Sequence, residues 1–132
     1  RVAQKHGVGD RFRYVQGDLH EADFGKGHAI ATLGHILHSE GEARSRSLLK
    51  KVFAALAPGG VIAIAEFVAD EARSGPPGPL IFAINMLVNT DEGDTFTFSE
   101  MSGWLREAGF TNVRALQTPA PWPLILADKP TG

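Results

Sequence analysis

Three side chains near the middle of this chain have the types and spacing for acid–base chemistry: His35, His38 and Glu66. Histidine changes charge near neutral pH, and a carboxylate beside it holds one tautomer and stabilises the imidazolium. The other ring nitrogen is then free to act as a general base. The competing reading is that His38 only caps or packs beside the helix that follows it. A metal site is a poorer fit, because His20, His28, His35, His38, Glu40 and Glu66 match no ligand spacing, and we expect no metal. No Gly-x-Ser-x-Gly elbow is present. The chain has no cysteine, which removes thiolate nucleophiles, thiolate metal sites and disulfides.

The elements that must position these residues lie between His28 and Glu66. The apolar run Ala29 to Leu33 predicts a strand, and it leads into a short segment carrying His35 and His38. On a helical turn those two histidines share a face. Leu48, Leu49, Val52, Phe53 and Leu56 then recur at helical spacing. Pro58-Gly59-Gly60 should stop that helix, since proline cannot continue the ladder and glycine accepts a left-handed end. Val61 to Ala65 reads as a strand covered on both faces, followed at once by Glu66. Two parallel strands joined by a helix form a βαβ unit, and such sheets bind ligands beyond the carboxyl ends of their strands. All three residues fall at that edge.

The rest of the chain frames this unit. Its 132 residues, 43% of them apolar, make one domain's worth of chain. A formal charge of −2 and scattered histidines leave no basic face for nucleic acid. No apolar run approaches the roughly 20 residues of a membrane span, and a cysteine-free chain of this kind reads as cytoplasmic. It opens on Arg1, inside what looks like a helix (Arg1 to His6), so we expect it to be part of a longer protein. Gly7-Val8-Gly9 reads as a turn, because no strand precedes it. Arg11 to Gln16 alternates and predicts a strand, ending at Gly17-Asp18-Leu19, where spacing alone favours a turn former or helix cap for Asp18. His20 to Gly27 reads as a polar loop. Beyond Glu66, Ala69 to Pro79 should be a loop. Leu80 to Asn89 should be a helix so apolar that something must cover it. Thr90 to Phe98 reads as a loop and Ser99 as the N-cap of a helix closed by Gly109. Val113 to Gln117 and Leu124 to Ala127 predict two final strands.

In sequence, Gly17 to Leu19 (GDL), Leu33 to His38 (LGHILH), Leu56 to Phe67 (LAPGGVIAIAEF), Asn85 to Asn89 (NMLVN) and Trp104 to Phe110 (WLREAGF) form a familiar succession. It resembles the class I S-adenosylmethionine-dependent methyltransferases, above all bacterial relatives of plant phenol and acetylserotonin O-methyltransferases. The resemblance covers essentially the whole chain. It implies an α/β, Rossmann-like, mostly parallel sheet in the order 3-2-1-4-5-7-6, ending in an antiparallel hairpin. The strand at Arg11 would be the third, and the first two strands are absent, as is the glycine-rich cofactor loop. These 132 residues would be the C-terminal portion of one catalytic domain.

The resemblance further implies methyl transfer to a hydroxyl of a small aromatic or polyketide-like metabolite. Asp18 falls where the family accepts a hydrogen bond from the adenine amino group, with Leu19 beside the ring. Gly34 and His35 fall near the cofactor, His38 on the general base and Glu66 on the carboxylate that orients it. Met86, Asn89 and Thr90 fall on substrate-contacting positions. A phenol at pKa about 10 facing a histidine near 6.5 is uphill by roughly 5 kcal/mol in water, so positioning and nearby positive charge must assist. A homodimer built through an N-terminal region is the implied assembly. Departures are visible: Gly34 replaces a common lysine, Ser39-Glu40 the usual Asp-Trp, and Thr95 a second orienting glutamate. They leave open a binding or assembly module without activity, or transfer to nitrogen or carbon.

Overall fold

The computed structural model describes residues 1–132. Four helices, α1 (Val2–Lys5), α2 (Leu37–Ala55), α3 (Pro77–Asn89) and α4 (Phe98–Ala108), accompany six strands. The strands are β1 (His28–Gly34), β2 (Leu56–Ala65), β3 (Val68–Ala69), β4 (Phe96–Thr97), β5 (Thr111–Leu116) and β6 (Leu124–Asp128). The main sheet runs β1-β2-β6-β5, with β1 and β2 parallel and the other two pairings antiparallel. This is the second half of the expected order, including the terminal hairpin. The class is α/β. No helix is long and apolar enough to cross a membrane.

Helices α2 and α4 pack on each other and on one face of the sheet. Leu48, Leu49 and Val52 of α2 meet Met101, Trp104 and Leu105 of α4, Ile62 and Ile64 of β2, and Ile125 of β6. Each such side chain contributes about 1.5–3 kcal/mol when fully buried. Coverage of β2 is one-sided, contrary to expectation: Ile62 and Ile64 are buried, whereas Val61, Ala63 and Ala65 on the other face are half-exposed. The reason is that both long core helices lie on the same face.

The Pro-Gly-Gly segment also behaves differently. Helix α2 ends at Ala55, so Leu56 is a strand residue, and Pro58-Gly59-Gly60 forms a bulge inside β2. Register jumps there from His28↔Leu56 to Ile30↔Val61. Gly59 sits at φ +77°, and a Cβ on Gly60 would meet the carbonyls of Ala57, His28 and Ala29 at 2.9–3.1 Å. The last carbonyls of α2 are satisfied instead by Lys129, whose Nζ donates to Phe53 O and Leu56 O at 2.7 Å.

Arg11 to Gln16 is not a strand. Gly9–Arg11 makes a 3₁₀ turn, and Phe12 and Tyr14 are exposed. Alternation assigns faces, but a strand also needs a neighbour, and none lies beside this segment. A cavity of about 690 Å³, lined by Arg13, Val15, Leu19, Phe24 and His28 among others, separates it from β1. Between α3 and α4, the expected loop contains β4, which pairs in parallel with β3. Pro77 to Pro79, assigned to a loop from the sequence, form the first turn of α3, which proline tolerates.

The N-cap of α4 is Thr97 rather than Ser99. Its hydroxyl accepts from the Glu100 N–H at 3.2 Å, while Glu100 Oε2 accepts from the Thr97 N–H at 2.7 Å. Gly109 closes α4 at φ +109°, as expected. Arg73 clamps the same corner, donating to the Thr95 carbonyl and both Glu100 oxygens. Burial raises the Glu100 carboxyl, but the Thr97 N–H and Arg73 outweigh it and hold its pKa below the ordinary 4.5. A group so lowered stabilises fully above pH 4.5 and loses that contribution as pH falls through its folded value. Thr97→Ala should therefore cost about 1 kcal/mol in urea unfolding. The deficit of Glu100→Gln, read the same way, should be present at pH 7 and shrink toward pH 3.

Candidate active site

The parallel register pairs Gly34 with Ala65, so the next residue of each strand, His35 and Glu66, emerges at the same edge. There the backbone of His35 donates to Ala65 O at 2.8 Å and turns at φ +52°, unusual for a residue with a side chain. His35 thus precedes α2 instead of sharing a helical turn with His38, which lies in the helix's first turn. The two rings still converge on one carboxylate.

Glu66 is 0% exposed. Its Oε1 accepts from His38 Nδ1–H at 2.7 Å and from the Phe67 N–H at 2.8 Å, and its Oε2 from the His38 backbone N–H at 3.3 Å. The N-cap of α2 is Ile36, which has no side-chain acceptor, so the carboxylate serves an otherwise orphaned N–H of the helix start. Bonding at Nδ1 leaves the lone pair of His38 on Nε2. The ring of His38 meets Phe82 edge-on at 4.8 Å, and Phe82 stacks on Phe67 at 4.2 Å. His35 Nδ1 lies 3.8 Å from Glu66 Oε1, beyond hydrogen-bond reach.

These three groups have donor atoms within 4.8 Å of one another. Two ligands on a tetrahedral zinc ion sit about 3.3 Å apart, given bonds near 2.0–2.1 Å. At 2.7 Å, His38 and Glu66 are a hydrogen-bonded pair whose donor atoms already satisfy each other.

The loop after α3 backs onto the same helix start. Asp94 N–H donates to His38 O at 2.9 Å, Thr90 Oγ1 to Met86 O at 2.7 Å, and Gly93 N–H to Thr90 Oγ1 at 2.8 Å. Met86 is buried, while Asn89 is exposed and donates through Nδ2 to the Asn85 carbonyl at 3.0 Å, not to the His38–Glu66 pair. Thr95 is buried with its hydroxyl on Pro79 O at 3.2 Å, so it anchors the start of α3 and is not hydrogen-bonded to His38 or Glu66. Beside Gly34, an added Cβ would meet open space. Asp18 and Leu19 lie on a separate loop, Asp18 exposed and Leu19 packed against the core. Phe67 and Phe82 had no distinct sequence signal: one followed a strand, and the other sat within an apolar run.

The O-methyltransferase domain family matches residues 1–111. The chain belongs to that family. Among its relatives, the tetracenomycin polyketide synthesis 8-O-methyl transferase TcmO of Streptomyces glaucescens is 32% identical over 121 residues, 92% of this chain and 35% of that protein. Acetylserotonin O-methyltransferase of Gallus gallus is 36% identical over 115 residues, 84% of this chain and 33% of its own. The structure of PigF with SAH superposes at a TM-score of 0.85 with 29% identity, over 96% of this chain and 38% of that one. The chain thus spans about a third of the length of these curated relatives. In this O-methyltransferase-family chain, the first turn of α2, which carries His38, is followed by close backbone packing at Gly41. Gly41 interrupts α2 at φ +73°, and a Cβ there would lie 2.7 Å from Glu92 Cβ and 2.8 Å from Glu92 O. Gly41→Ala should cost about 1–3 kcal/mol, seen as a lower urea midpoint at unchanged m-value.

Proposed function

We propose that the protein containing these residues transfers a methyl group from S-adenosylmethionine to a hydroxyl of a small aromatic or polyketide-like metabolite, with His38 as general base. The observation that carries this reading is the buried 2.7 Å bond from His38 Nδ1–H to Glu66, in a chain of the O-methyltransferase family. TcmO by its name acts on a polyketide, and the PigF structure holds the demethylated cofactor. The cofactor supplies a methyl on a positively charged sulfur. His38 Nε2 would take the proton of the acceptor hydroxyl, and Glu66 would hold the resulting imidazolium through Nδ1–H. Phe67 and Phe82 keep water from one side of the ring, which strengthens both interactions.

The residues present fit the cofactor. Asp18 bonds the His20 N–H through Oδ1, leaving Oδ2 as an acceptor next to apolar Leu19, a combination suited to an adenine amino group and ring. Gly34 and His35 border the sheet edge where the sulfur end would lie. We assign Met86, Asn89 and Thr90 to the acceptor side. Ile81, Ile84, Leu87 and Val88 on the outer face of α3 are exposed, and we read that apolar face as a contact that supports a homodimer.

His38→Ala in the whole protein should lower kcat by about 10²–10⁴-fold while S-adenosylhomocysteine still binds in a calorimeter. Undiminished turnover would remove the base assignment and point to an already nucleophilic acceptor such as an amine nitrogen, whose lone pair attacks without prior loss of a proton.

A further inference from the structure

The segment from Gly17 to Gly27 contains no helix or strand, yet it carries Asp18 and Leu19. Side chains of α2 hold it in place. Lys51 Nζ donates to His20 O at 2.8 Å and to Leu19 O at 3.3 Å, and lies 4.3 Å from the centre of the Phe24 ring. About three helical turns earlier, Glu40 Oε2 accepts from His20 Nε2–H at 2.6 Å and from Arg44 Nε–H at 2.8 Å. His20 is therefore held at two points: its carbonyl by Lys51 and its ring by Glu40. Its third polar group, the backbone N–H, donates to Asp18 Oδ1 at 2.8 Å and aims that carboxylate.

We propose that Glu40 is a positioning residue for cofactor recognition, acting through His20 to hold the Asp18–Leu19 segment against α2. Glu40 does not touch the cofactor. It sets how often Asp18 presents its second oxygen in the competent orientation, and apparent affinity falls in proportion to that fraction. The pair is only part-buried, yet its bond is short and shared with Arg44. Burial raises the Glu40 carboxyl, but the His20 and Arg44 hydrogen bonds prevail and hold it below its ordinary range, so the acceptor is charged at neutral pH.

The inference rests on the S-adenosylmethionine reading, and the experiment separates the two. S-Adenosylhomocysteine is titrated calorimetrically into the whole protein and its variants. Glu40→Ala should weaken Kd on the order of tenfold, as expected for losing one charge-assisted hydrogen bond that orders a loop. Glu40→Gln, whose amide oxygen still accepts from His20, should stay within about threefold of the parent. His20→Ala should match Glu40→Ala, and the double variant should be no weaker than either, because both remove the same contact. Amide exchange at Leu19 to Glu21 should quicken in Glu40→Ala and not in Glu40→Gln. Unchanged affinity in Glu40→Ala, or failure of Gln to restore it, overturns the positioning role. A parent protein that gives no heat with S-adenosylhomocysteine overturns the cofactor reading, and this inference with it.

Discussion

A carboxylate with no exposed surface is expensive to bury unless its oxygens find donors, and Glu66 satisfies that condition with groups from two different elements. One donor is the backbone just after β2, one is the first turn of α2, and one is the ring of His38. The end of a strand, the start of a helix and the tautomer of an imidazole are thereby a single unit. None can shift without leaving a buried charge short of partners, which costs more than an ordinary hydrogen bond contributes. The parallel pairing of β1 with β2 sets this arrangement. A slip of one residue would turn Ile62 and Ile64 out of the core and carry Glu66 to the opposite face.

Around that unit the backbone departs from regular geometry in several places. His35 turns through a left-handed conformation, Gly41 breaks the helical angles of α2, and the Gly59–Gly60 bulge shifts the start of β2. Each irregularity is held by a specific bond: His35 N–H on Ala65 O, Asp94 N–H on His38 O, and Gly59 N–H on Lys129 O. Strain of this kind persists only where the surroundings over-determine it. Here the surroundings are the sheet on one side and the loop after α3 on the other, so the neighbourhood of His38 is built from rigid parts.

Legibility in the sequence followed the range of the interaction. The apolar stripe of α2, the run Val61 to Ala65, the left-handed stop at Gly109 and the last two strands are local patterns, and the structure contains all of them. The convergence of His35, His38 and Glu66 was readable because a βαβ unit has a fixed handedness and places both strand ends together. What depended on partners was not readable. Arg11 to Gln16 alternates like a strand but has no neighbour, and Phe96–Thr97 became a strand only because Val68–Ala69 lies beside it. Thr97 displaced Ser99 as N-cap because Glu100 completes a capping box with it. The His20–Glu40 bond joins residues twenty positions apart that share no periodicity.

The elements around the His38–Glu66 pair are anchored in different ways. His38 sits in the first turn of α2 and Glu66 directly after β2, two elements whose inner residues form the core. Helix α3, which carries the groups assigned to the acceptor, buries only Pro79 and Met86. It is held at its two ends by side-chain hydroxyls, Thr95 on Pro79 O and Thr90 on Met86 O, and near its middle by the Phe82 ring. Replacing an exposed residue of α3 therefore disturbs few packed contacts, whereas replacing a residue under β2 disturbs the packing that holds the His38–Glu66 pair. A scaffold arranged this way lets the exposed face of α3 vary while the His38–Glu66 pair stays fixed. The Asp18 loop is anchored in a third way, tied to α2 by the His20–Glu40 and Lys51 hydrogen bonds while Leu19 and Phe24 pack against the core.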